Sequence, residues 1–183
     1  MKHKIKVILL LVLAYFIVAL PFKVLEVIPG FSDIRPVTMF GPIYGLFYGI
    51  PGCVIFAVMN LVMDAVGGDL AWSSIAGLLA NFAGPFLITY YWKRLSGTPL
   101  HLKTQGNILR HSIVLIIAAV LEAAVITPSV AVFYPDVDRM LFFLTVVLNT
   151  SVFPIFFGIP LMILMQEELG FKQTDLGRSK SSK

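Results

Sequence analysis

From Pro36 to Met63 the chain carries no charged side chain across 28 residues. A helix needs about 20 apolar residues to cross a bilayer core of roughly 30 Å. The stretch is therefore long for one crossing and short for two. Gly49-Ile-Pro-Gly52 interrupts it with strong turn chemistry. The reading adopted is a short second helix over about 37–48, a reversal, and a third helix over about 52–66. Every other expectation about topology follows from that reversal.

The rest of the chain divides in the same manner. Val7 to Phe22 is uncharged between Lys6 and Lys23, and this first helix can run on towards Ile28 before Pro29-Gly30. It is read as an uncleaved span rather than a signal peptide, because no small-x-small cleavage site precedes a soluble domain. A loop follows that carries Asp33 and Arg35. Ala71 to Trp92 forms the fourth span and ends at Lys93-Arg94. Ser96 to Arg110 is the longest loop. Ser112 to Tyr134 is the fifth span, and Met140 to Gln166 the sixth, with Pro154 and Pro160 inside. The expectation is an all-α membrane protein of six transmembrane helices. Residues 1–170 make one membrane domain and 171–183 a polar cytoplasmic tail.

Only 13% of the 183 residues are charged, against 58% hydrophobic. That is too little charge to cover a soluble surface, so lipid must cover much of it. The net charge of +4 does not point to nucleic acid, because the basic residues sit at segment ends. With the N-terminus inside and the spans alternating, the outer segments hold only Lys23, Arg35 and Arg139. The other eleven Lys and Arg fall inside. Cytoplasmic retention of basic residues near helix ends favours this arrangement, with both termini cytoplasmic. A single crossing over 36–66 would destroy the asymmetry. Trp72 and Tyr134 then lie at the outer interface, and Tyr90, Tyr91 and Trp92 at the inner one. The location implied is the cell membrane, multi-pass.

Ionisable groups at membrane depth are costly and are functional candidates by default. Asp64 and Glu122 are two such groups, and Asn60, Asn81 and Asn149 join them. Asn60 and Asp64 are four apart and share a helix face. At about 1.5 Å per residue, all five fall in the middle or outer half of the bundle. Arg35 reaches the same region and could pair with Asp64. The six are read as lining a pocket that opens outward. Against this, Asn side chains also serve as interhelical hydrogen-bond glue.

Gly41, Gly45 and Gly49 recur at spacing four, as do Ala76, Ala80 and Gly84. Small residues at this spacing let helices approach closely, for internal packing or for docking a membrane partner. No nucleotide-binding loop, HExxH or Gly-x-Ser-x-Gly is present. His3, His101 and His111 have no metal-ligand spacing with one another or with the lone Cys53. No catalytic constellation, metal or cofactor is expected, and an enzyme is the least favoured class.

The run from Asp33 through Arg35-Pro-Val-Thr-Met-Phe-Gly-Pro-Ile-Tyr-Gly to Gly52 resembles the substrate-binding S components of energy-coupling factor (ECF) transporters. So do Asn60-Leu-Val-Met-Asp64, Gly68-Asp-Leu and Gly77-Leu-Leu-Ala-Asn-Phe-Ala-Gly84. These motifs cover about residues 30–95 and are loose in pattern. The resemblance implies six helices, a vitamin or other micronutrient as substrate, and a transmembrane T component with two cytoplasmic ATPases as partners. It also implies that the loop over 29–36, with Asp33 and Arg35, gates the pocket. One departure is that Ala14 and Ala19 are five apart, where many S components carry Ala-x-x-x-Ala for docking. The rival readings are a membrane sensory or anchoring module, and a stand-alone ion-coupled carrier with Glu122 as its proton site.

Overall fold

The computed structural model describes residues 2–23, 25–28, 32–68, 70–96 and 100–171. Within them the protein is an all-α bundle of six helices, five of which are long and apolar enough to cross a membrane. Helix α1 covers Lys2–Phe22, α2 Phe40–Tyr48, α3 Ile50–Gly67, α4 Ser73–Tyr90 and α5 Gln105–Phe133. The last crossing joins α6 (Arg139–Phe153) to α7 (Ile159–Glu167) through a π turn, Pro154–Gly158. Proline has no N–H to continue the ladder, and a wider turn is a common way to absorb it.

The reversal at residue 49 is present and is tighter than a Gly49–Gly52 turn. Gly49 alone separates α2 from α3, at φ +69°, a backbone region that side chains avoid. The two helices run back along each other. Tyr44 meets the Phe56 ring edge-on at 6.3 Å, and Gly52 lies directly against the Tyr44 carbonyl.

Helix α2 is too short to span by itself, although the α2–α3 hairpin still returns the chain to the end it left, with Asp64 beside Arg35. Nine residues rise only about 14 Å, and all nine are buried. It forms a plug inside the bundle, held on every side. The Tyr44 hydroxyl donates to the Leu11 carbonyl of α1. Gly41 lies against Phe56 of α3 and Pro85 of α4, and Gly45 against Cys53 and Thr89. On the remaining side, the Met39 carbonyl just before α2 faces Gly158 of the π turn. Stacked Phe40 and Tyr44, with Phe56 and Tyr15 edge-on, make the plug aromatic. Such ring pairs add about 0.5–1.5 kcal/mol each beyond their buried area.

Three expected boundaries move. α1 stops at Phe22 instead of running towards Ile28, and Glu26–Ile28 (β1) pairs antiparallel with Ser32–Asp33 (β2). β-branched residues around Pro29-Gly30 favour a hairpin over another helical turn. Residues 29–31 of the expected gating loop lie outside the described residues, as do Asp69 and the tail from 172. The fifth helix begins at Gln105, two turns before Ser112, because Thr104 caps it by accepting the Asn107 N–H. The fourth crossing ends in a π turn, Tyr91–Leu95, and Trp92 is buried there rather than exposed at an interface. Its indole N–H donates to His111 Nδ1 at 2.8 Å.

Outward faces are greasy throughout. On α1, Leu11, Tyr15 and Ala19 are buried at spacing four, while Leu9, Leu10, Leu13 and Ile17 are exposed. A water-facing surface would not carry this pattern, and a lipid-facing one does.

Candidate binding cavity

α2 is short and lies deep, so the end of the bundle that holds the α3–α4 and α5–α6 connections is left hollow. A cavity of about 330 Å³ fills that end. Asn60, Asp64, Asn81, Glu122, Asn149 and Arg35 all line it. They come from α3, α4, α5, α6 and the segment before α2, so the tertiary fold brings together groups that are far apart in sequence.

One wall is organised by Arg35. Its backbone N–H donates to Asn149 Oδ1 at 3.0 Å, and its Nη1 donates to Asn60 Oδ1 at 3.3 Å. Nη2 stands 4.0 Å from Asp64 Oδ1, so Arg35 and Asp64 do form a long ion pair. The Tyr15 hydroxyl reaches Asn60 Oδ1 from α1 at 3.5 Å. The Thr38 hydroxyl lies 2.6 Å from the Asn149 carbonyl and 2.8 Å from that of Arg35. These bonds tie the start of the plug to α6 on one side and to α3 on the other. Asn60 and Asn149 thus act as interhelical ties and as cavity lining at once.

The opposite wall belongs to α4, α5 and α6. Glu122 is 8% exposed, its carboxyl packed against Gly84 of α4, where a methyl group would collide with it. The glycine at 84 is therefore the space into which the carboxyl fits. Asn81 Nδ2 donates to the Gly77 carbonyl of its own helix at 2.7 Å. Gly77 has no atom within 4 Å of where its Cβ would stand, because it borders the hollow. Of the other small residues singled out, Ala80 is fully buried, and Ala76 is half-buried. Gly41 and Gly45 lie at internal helix contacts.

Sequence reasoning passed over several lining residues: Lys23, Thr38, Ser73, Ser74, Tyr134 and Thr150. Lys23 reads as a snorkelling helix end and Tyr134 as an interface residue. The hydroxyls of Thr38 and Thr150 barely register against an apolar background. Thr150 follows Asn149, which is the one signal that could have flagged it. The side chain of Asp33, the other gating-loop candidate, lies outside what is described.

Fold and cavity together define a multi-pass helical membrane protein that encloses a polar, ligand-sized chamber at one end. The chain matches no protein-family model, no curated protein and no solved structure.

Proposed function

We propose that this chain is the substrate-binding S component of an ECF-type importer in the cell membrane. It takes up a vitamin or similar micronutrient from outside, and a transmembrane T component with two cytoplasmic ATPases supplies the energy. The observation that carries the reading is the convergence of Arg35, Asn60, Asp64, Asn81, Glu122 and Asn149 on one cavity. Polar groups at this depth are expensive unless they serve a ligand or each other. The cavity volume of about 330 Å³ sits at the lower end of small-molecule sites. The open end is the one with fewer basic residues, Lys23, Arg35 and Arg139, whereas Lys93, Arg94, Lys103 and Arg110 belong to the far end, which the charge rule assigns to the cytoplasm.

The test is the small molecule that copurifies with the detergent-solubilised protein, identified by mass spectrometry. Asn81→Ala is expected to release it while leaving expression intact, because a buried polar group without its partner costs about 1–3 kcal/mol. Affinity purification from cells is expected to bring down a T component and ATPases. Uptake that survives Asn81→Ala and Glu122→Ala alike, or transport by the chain alone in liposomes without ATP, would refute the reading.

A further inference from the structure

The wall of the cavity opposite Arg35 carries the Glu122 carboxyl, the Asn81 amide and the hydroxyls of Ser73, Ser74, Tyr134 and Thr150, with no cationic side chain among them. A backbone carbonyl can only accept, so the Asn81 amide must turn its nitrogen to the Gly77 carbonyl 2.7 Å away. Its Oδ1 and its second N–H are then left free of that bond. The carboxyl of Glu122 has room for about four hydrogen bonds when ionised. Among the described residues its neighbouring donor is the Thr150 hydroxyl, whose single proton is shared with the Val146 carbonyl 2.8 Å away. Among the described residues Glu122 forms no ion pair. The two cations that line the cavity stand elsewhere: Lys23 ends α1, and Arg35 is held by Asn60, Asp64 and Asn149 on the other wall.

We infer that the molecule this cavity takes is a small organic cation, whose protonated amine, amidinium or guanidinium group sits against Glu122 and Asn81 Oδ1. The inference rests on the cavity being the ligand site of the proposed importer subunit. The Glu122 carboxyl, with no ion pair among the described residues, selects for this class. A carboxylate or phosphate group here would stand against the Glu122 carboxyl, and none of the residues that line this wall is a cation to receive it. A neutral acceptor such as a ketone could take up the wall's hydroxyls but would bring no donor to the buried Glu122 carboxyl. A cationic N–H group supplies several donors at once, and bonds between charged partners are the strong ones. Gly84 matters for the same reason, because it lets the carboxyl lie in the wall rather than across the cavity.

The experiment uses the full chain in detergent, stripped of bound solute. Melting temperature is read against a size-matched panel of protonated amines and amidines (agmatine and benzamidine among them), neutral amides and carboxylates. The stabilising compounds are expected to come from the cationic set. Glu122→Gln is expected to lose at least about tenfold in affinity for them, with Glu122→Asp retaining part. Gly84→Ala, which displaces the carboxyl and keeps it, is the second variant and loses affinity in the same direction. Stabilisation by neutral or anionic compounds instead, or cation binding unchanged in both Glu122→Gln and Gly84→Ala, overturns the inference and leaves the importer reading standing. No stabilisation by any class overturns the ligand site itself, and both readings with it.

Discussion

Replacing Gly52 by Ala tests the plug directly. A Cβ there would collide with the Tyr44 carbonyl oxygen and stand 2.6 Å from its carbonyl carbon, with Tyr48 Cβ at 3.1 Å. Ordinary contact begins at 3.4 Å, so α2 and α3 must part by at least the difference, 0.8 Å. The obstacle is backbone, which no rotamer change can relieve. Overpacking costs typically 1–3 kcal/mol, and this geometry belongs at the upper end. Alanine in a helix returns up to about 1 kcal/mol relative to glycine. The net loss is about 2 kcal/mol. At roughly 2–4 °C per kcal/mol for a chain of this size, the melting temperature in detergent falls by about 4–8 °C. Gly77→Ala is the control, since nothing lies within 4 Å of its Cβ position. It gains the propensity without the collision and melts at or above wild type. If Gly52→Ala melts with or above Gly77→Ala, the close antiparallel contact between α2 and α3 is wrong.

Two further outcomes are expected. Asn149→Ala removes the acceptor for the Arg35 N–H, at a cost of about 1–3 kcal/mol. Amide hydrogen exchange over residues 34–38 rises accordingly, and unchanged protection would show that the bond does not hold this segment. The sidedness is checked by cysteine labelling in intact cells, where native Cys53 is fully buried and silent. An impermeant maleimide should label Trp72→Cys and leave Arg94→Cys unlabelled until the membrane is opened. The reverse pattern inverts the topology and turns the cavity towards the cytosol.

Much of the architecture is legible in the residues because membrane folding depends on few variables. Charge-free runs of the right length mark the crossings, and Gly49-Ile-Pro-Gly52 marks the reversal within the one run that was too long. The six polar candidates meet in one cavity because depth along a helix follows from residue count. What stays hidden is lateral. Nothing in a run of apolar residues says that Phe40–Tyr48 is enclosed by four other segments rather than by lipid, since both surroundings are equally apolar. The hairpin of Glu26–Ile28 and Ser32–Asp33 is too short for a period to declare itself. The Arg35 main-chain bond to Asn149 spans 114 positions, and only the assembled bundle reveals it.

The plug also gives the chamber a dead end. Below Thr38 and Asn149 the path is filled by Phe40, Tyr44, Phe47 and their ring neighbours, all buried. A solute that enters from the hollow end meets a wall about half a membrane thick and has one way back. The resting bundle is a vessel and not a conduit. A passage through it exists only once the nine packed residues of α2 have moved.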